Sequence, residues 1–199
     1  DTLNVDVNRQ NAKAYCMLKE YKTSINRYEA LKAMGDRSFT TLYYLGISQY
    51  CDNWPYGARD NLLEAHKKNP MDVNVLYYLA KACARSSWKE EGIAYMNKAF
   101  DMVVPTDSMM IRLYDGLLEC YKFHTKADPY EKIEVMKEAY SYTKKYTLFY
   151  QIAEIYDYQK DYVNAVHYYE KYMALVPKNK QVALDSEGNP LPNADTMYQ

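Results

Sequence analysis

One spacing dominates this sequence. Leu42-Tyr43-Tyr44-Leu45-Gly46 returns as Leu76-Tyr77-Tyr78-Leu79-Ala80, a step of 76 − 42 = 34 residues, and a third version is Phe149-Tyr150-Gln151-Ile152-Ala153. Small residues follow each of these at matched distances. Gly46 leads to Ala58, Ala65 and Pro70; Ala80 leads to Gly92, Ala99 and Pro105; Ala153 leads to Ala165, Tyr172 and Pro177. One period upstream of Gly46 stand Ala12, then Ser24 and Leu31. A unit this short cannot bury its own apolar face, so it must stack on copies of itself, and the period decides the architecture.

The residues within each unit point to two helices packed face to face. Apolar residues recur at helical spacing, as in Leu42 and Leu45 or Ile152, Ile155 and Tyr156. Small residues at matched places let two backbones approach while Leu, Ile and Tyr fill the space around them. Proline after the second helix stops it, because it has no N–H to continue the ladder. Only 6 Gly and 7 Pro occur in 199 residues, too few for a turn-rich β architecture. Helices of roughly a dozen residues are marginal alone, so neighbours must hold them.

This ladder resembles the tetratricopeptide repeat. The residues that carry the resemblance are the small ones at Gly46, Ala80 and Ala153, those at Ala58, Gly92 and Ala165, and the closing prolines. The last unit matches best, with Tyr156, Asp161-Tyr162, Ala165, Tyr169 and Pro177 all in place. The resemblance covers about residues 6–179. It implies an all-α fold, a right-handed superhelical array (an α-solenoid) of about five antiparallel helix-turn-helix repeats. The units fall at about 5–38, 39–72, 73–106, 107–145 and 146–179, followed by a non-repeat tail, 180–199. The fourth unit is longer, since 153 − 80 = 73, or 2 × 34 + 5. Its first helix is expected over Met109 to Phe123, a loop over His124 to Ala127, and its second helix over Pro129 to Tyr142, with Asp128 as cap. Leu118 stands where a small residue is expected. A short helix near Lys180 to Leu184 is one way to shield the last apolar face.

Composition removes several functions. Lys+Arg 25 against Asp+Glu 26 leaves a net charge of −1, with no basic excess for phosphate contacts, so nucleic acid is not an expected partner. The longest stretch free of Asp, Glu, Lys and Arg, Ser38 to Cys51, is shorter than the ~18 apolar residues of a membrane span. A start at Asp1 is what signal-peptide removal leaves, and a trimmed chain looks the same; the reading leans to an extracytoplasmic location over a cytoplasmic one.

Catalytic signatures are missing. No H-E-x-x-H, no Gly-rich phosphate loop and no nucleophile elbow occurs, so no catalytic residue, metal ligand or cofactor is assigned. His66, His124 and His167 are expected to face solvent. Glu90, Glu91 and Glu119 are read as solvated helix faces. Cys16, Cys51, Cys83 and Cys120 lie too far apart for a zinc site and are read as small buried filler near the ends of first helices. Trp54 and Trp88, in matched turns, are expected to plug the hairpin ends.

The tyrosine content, 24 residues, sorts by position. Tyr15, Tyr28, Tyr156 and Tyr169 fall on the repeat's own packing places. In tetratricopeptide arrays the first helices line a concave groove, and the resemblance places Arg9, Tyr43, Tyr77, Asp115 and Tyr150 in one row there. A second row is Lys13, Ile47, Lys81, Glu119 and Glu154, with Tyr50, Arg85, Phe123, Asp157 and Tyr158 nearby and Arg112 just beyond the basic first three units. The implied function is a non-catalytic scaffold that takes a peptide or protein segment in this groove. Tyrosines would supply rigid contact area, and Arg9, Lys81, Arg85 and Arg112 would face acidic groups. Tyr44 and Tyr78 stand where a clamp for a terminal carboxylate needs asparagine and a base, so that ligand is discounted. Two other readings stay open: a structural subunit, possibly of a cell-envelope assembly, bound through its ends, and a helical enzyme with a site across repeats.

Overall fold

A computed structural model describes residues 4–177, which hold ten helices and no strand. They are α1 (Val5–Met17), α2 (Tyr21–Ala33), α3 (Phe39–Cys51), α4 (Pro55–Lys68), α5 (Val73–Ala84), α6 (Lys89–Asp101), α7 (Asp107–Phe123), α8 (Pro129–Thr143), α9 (Thr147–Tyr158) and α10 (Tyr162–Leu175). Two compact units divide the chain, Asp1–Asp128 and Pro129–Gln199. The boundary falls in the connection expected within the fourth repeat. The C-terminal tail, including the short helix expected near Lys180, lies outside the described residues.

In the first unit each helix packs on the next, and first helices also touch one another: α1 on α3, α3 on α5, and α5 on α7. In the second unit α9 and α10 form a hairpin and α8 packs on α9. The starts of the first helices repeat with the period. Asn4, Ser38, Asp72 and Thr106, each 34 residues after the last, cap α1, α3, α5 and α7 by accepting from the N–H of Val7, Thr41, Val75 and Met109. Each cap satisfies a backbone donor that the first helical turn leaves open.

The turns inside the hairpins repeat too. Lys19, Asn53 and Lys160 occupy one repeat position and all adopt positive φ, 62 to 64°. The N–H that follows each of them returns to Tyr15, Gln49 and Tyr156 respectively, closing the helix C-terminus with a left-handed residue. Sequence reasoning missed this motif because none of the three is glycine.

The small residues sit where two backbones meet. Ser24 Oγ donates to the Ala12 carbonyl at 3.1 Å and shares a bond with Ser48 Oγ at 2.9 Å, all of it buried. A Cβ on Gly92 would stand 2.8 Å from the Ala80 carbonyl oxygen. In α7 the close approach belongs to Gly116, where a Cβ would meet the Met96 Cε at 2.5 Å and the Tyr77 ring at 2.8 Å; Leu118 is half-buried.

Several expectations need correction. Cys16, Cys83 and Cys120 are buried, but Cys51 is exposed. The four cysteines do not share a repeat position: Cys51 aligns with exposed Met17 and half-buried Arg85. Trp88 is half-buried beneath Arg59, 4.0 Å from its ring, and Tyr56. Trp54 is 58 % exposed and plugs nothing. The residues that would cover it one repeat earlier are Lys22, which is exposed, and Ile25, which is committed to its own core cluster. His66 and His124 are half-buried rather than solvent-facing, with His66 edge-on to Tyr95; only His167 is exposed.

Candidate functional site

Three successive first helices of the first unit bring charged and aromatic side chains to one place. The cap bonds and close packing described above fix α3, α5 and α7 side by side, so residues one period apart become neighbours. Glu119 of α7 is the centre. Its Oε1 accepts from Tyr50 Oη at 2.6 Å and from Arg85 Nε at 2.6 Å, and its Oε2 takes Lys81 Nζ at 2.9 Å. Lys81 also donates to Tyr77 Oη at 3.2 Å. The cations lie over rings: Arg85 is 4.5 Å from the Tyr50 centroid, Lys81 is 4.9 Å from Tyr77, and Arg112 is 4.4 Å from Tyr77. Arg112 donates to Asn74 at 2.8 Å.

The electrostatics follow from partial burial. Side-chain exposure is 17 % at Glu119 and 15 % at Lys81. Burial pushes the Glu119 carboxyl up, but the hydrogen bonds from Tyr50 and Lys81 outweigh it and hold the group below its usual range. Burial likewise disfavours the Lys81 ammonium, and the bond to Glu119 more than reverses that. Burial and the Glu119 bond both push the Tyr50 hydroxyl up, so it stays a donor. The expectation that Glu119 is a solvated helix face is therefore overturned. Lys81 and Arg85, expected to face a partner's acids, already share a carboxylate from within the chain.

The remaining expected groove residues divide. Arg9 donates to Asp36 at 3.0 Å and to Asp6 at 2.6 Å, which makes it part of the connection between α2 and α3 rather than a free cation. Lys13 lies 5.2 Å from the Tyr44 ring. Tyr43 is half-buried, stacked on Phe39 at 5.6 Å and packed against the Leu42, Ala65 and Val75 cluster. Tyr150 and Glu154 belong to the second unit, where Tyr150 packs on Tyr169 at 5.8 Å and Tyr172 at 5.3 Å. The structure thus gathers Tyr50, Tyr77, Lys81, Arg85 and Arg112 around Glu119, which the sequence reading set in the second groove row and took for a solvated residue. The signal was present: Arg85 and Glu119 are opposite charges at the same repeat position, since 119 − 85 = 34.

Asp36 has a testable consequence of its own. Burial would raise it, yet bonds from Arg9, from Thr41 Oγ1 at 2.6 Å and from the Ser38 N–H bring it down to about 2. Its folded value lies below the unfolded one, near about 4, so its stabilisation is complete above that pH and is lost as pH falls toward 2. Asp36→Asn is expected to remove about 2 kcal/mol at pH 7 and to flatten stability between pH 4 and 2. Urea melts across that range check it; an unchanged acid slope in the variant would count against this account of Asp36.

Among the described residues, no group of three or more His, Cys, Asp or Glu could hold a metal ion, and no helix is long and apolar enough to cross a membrane. No family model and no curated protein sequence matches the chain. Solved structures do. MamA superposes with a TM-score of 0.70 at 16 % identity, over 85 % of this chain and 90 % of that one. MamA 41-end from Desulfovibrio magneticus RS-1 gives 0.69 at 13 % identity, over 86 % and 94 %. YrrB, described as a TPR protein with an unusual peptide-binding site, gives 0.67 at 13 % identity, over 86 % of both chains. With the 34-residue helix hairpins above, these likenesses establish the fold: an all-α array of tetratricopeptide-like helix hairpins.

Proposed function

We propose that the protein is a non-catalytic scaffold that binds a peptide or protein segment on the inner face of α3, α5 and α7. The observation that carries this reading is the cluster around Glu119. Tyr50, Tyr77, Lys81, Arg85 and Arg112 are held in place by one another before any partner arrives, so little side-chain freedom remains to be lost on binding. Tyrosine and arginine are also the residues that most often dominate interface energetics. The peptide-binding site named for YrrB supports the class of ligand.

Arg112 separates this function from stability. It is held by Asn74 and the Tyr77 ring rather than by Glu119, so Arg112→Glu should leave melting within about 2 °C of wild type, the effect of a few tenths of a kcal/mol. For a peptide selected from a random library on the full chain, the same variant should weaken binding at least about tenfold. Unchanged affinity across several such peptides would remove Arg112, and with it this face, from the binding surface.

A further inference from the structure

The α9–α10 hairpin exposes a face that the equivalent hairpin of the first unit buries. On α3 and α4, that face is covered by α5: Leu62 lies in a buried cluster with Leu79 and Ala82, and Ala65 lies with Val75. The last repeat runs 3 × 34 + 5 = 107 positions later, which puts Tyr169 and Tyr172 in the places of Leu62 and Ala65. Tyr146 and Tyr150 fall in the places of Phe39 and Tyr43. These four tyrosines pack on one another, with Tyr146 5.9 Å and Tyr150 5.3 Å from Tyr172. Beside them Arg59 and His66 are replaced by Val166 and Met173, which are 54 % and 58 % exposed. A terminal repeat built to meet water carries a polar outer face. Here the exposed face carries four packed tyrosines with Val166 and Met173 beside them, an aromatic and apolar surface of the kind that marks an interaction site.

The sequence narrows what covers it. Helix α1 of a second copy fits poorly, because exposed Gln10 and Asn11 stand where α3 and α5 present Tyr44 and Leu45, or Tyr78 and Leu79.

Charge supplies the remaining argument. In the first unit the covering helix α5 sets Lys81 and Arg85 over the Tyr50 ring, at 5.2 and 4.5 Å. The counterpart of Tyr50 in the last repeat is Asp157, with Glu154 one turn earlier; both are exposed and neither forms an ion pair among the described residues. We infer that this face docks an amphipathic helix of a partner protein whose chemistry follows α5: apolar residues at i, i+4 and i+7, as in Val75, Leu79 and Ala82, and basic residues at i+6 and i+10, as in Lys81 and Arg85. This inference does not depend on the inner face of the first unit.

The probe is a stapled helical peptide with the sequence of residues 72–86, titrated into the full chain by calorimetry. Binding is expected, and Val166→Glu, at the place of the Arg59 that meets Cys83 of α5, should weaken it at least about tenfold, because it places a charge in the apolar contact. Val166 is 54 % exposed, so the variant should melt as wild type does. A peptide with glutamate in place of Lys81 and Arg85 should bind about tenfold more weakly, and Asp157→Lys should restore it. Three results would overturn the inference: no binding or binding indifferent to Val166→Glu, a dimer in light scattering that Val166→Glu dissociates, or amide protection of residues 181–187 showing that the tail occupies the face.

Discussion

Glu119→Ala is expected to cost about 3 kcal/mol of stability, read as a lowered urea midpoint at unchanged slope. The carboxylate is the shared partner of Lys81, Arg85 and Tyr50, drawn from two other helices. Removing it strands an ammonium whose side chain is mostly buried and a half-buried guanidinium. Breaking a fully buried pair from one side costs roughly 3–5 kcal/mol, and the residual solvent access here favours the lower end. Lys81→Met added to Glu119→Ala should recover part of the loss, since the second change removes the stranded charge. Glu119 lies below its usual pKa range in the fold, so its contribution is present at neutral pH and fades in acid. A loss under about 1 kcal/mol, with no recovery on adding Lys81→Met, would show that the cluster is a surface arrangement of little energetic weight.

Gly92→Val should be comparably damaging for a different reason. A Cβ at this position would stand 2.8 Å from the Ala80 carbonyl oxygen and 3.1 Å from the Ala84 nitrogen, both backbone atoms of α5. Backbone within a helix cannot rotate aside as a side chain can, so α5 and α6 must separate. Overpacking of this kind costs about 3 kcal/mol. Alanine at the same place should cost less, because exchange of a helical glycine for alanine returns about 1 kcal/mol. Gly116→Ala is the internal comparison. There the obstructing atoms are the end of Met96 and the ring of Tyr77, which can shift, so the loss should be smaller than for Gly92→Ala. Thermal melts of the three variants would rank them. If Gly116→Ala proved the more harmful, side-chain crowding rather than backbone contact would govern the hairpins.

The hairpin architecture was legible because it is written in spacing. Gly46, Ala80 and Ala153, followed by Ala58, Gly92 and Ala165, mark where helices must touch, and close contact admits few residue types. The capping residues Asn4, Ser38, Asp72 and Thr106 carried the same period and were overlooked because four different side chains perform one task. The site was less legible. Its ion pairs join residues 34 and 38 positions apart, so each charge looks solvated when read along its own helix. Tyr43, Tyr77 and Tyr150 occupy one repeat position, yet one packs into a core edge, one joins the Glu119 cluster and one lies on the exposed α9–α10 face. Repeat position sets where a side chain starts, whereas the neighbouring repeat decides what it meets.

The central claim is that the inner face of α3, α5 and α7 is the binding surface for a peptide segment. The most direct measurement is an NMR titration of the full chain with a library-selected peptide, following the tyrosine ring and arginine side-chain signals. The account predicts saturable shifts concentrated on Tyr50, Tyr77, Arg85 and Arg112, with α2, α4 and α6 unaffected. Shifts confined to the outer helices, or to α9 and α10 alone, would contradict it.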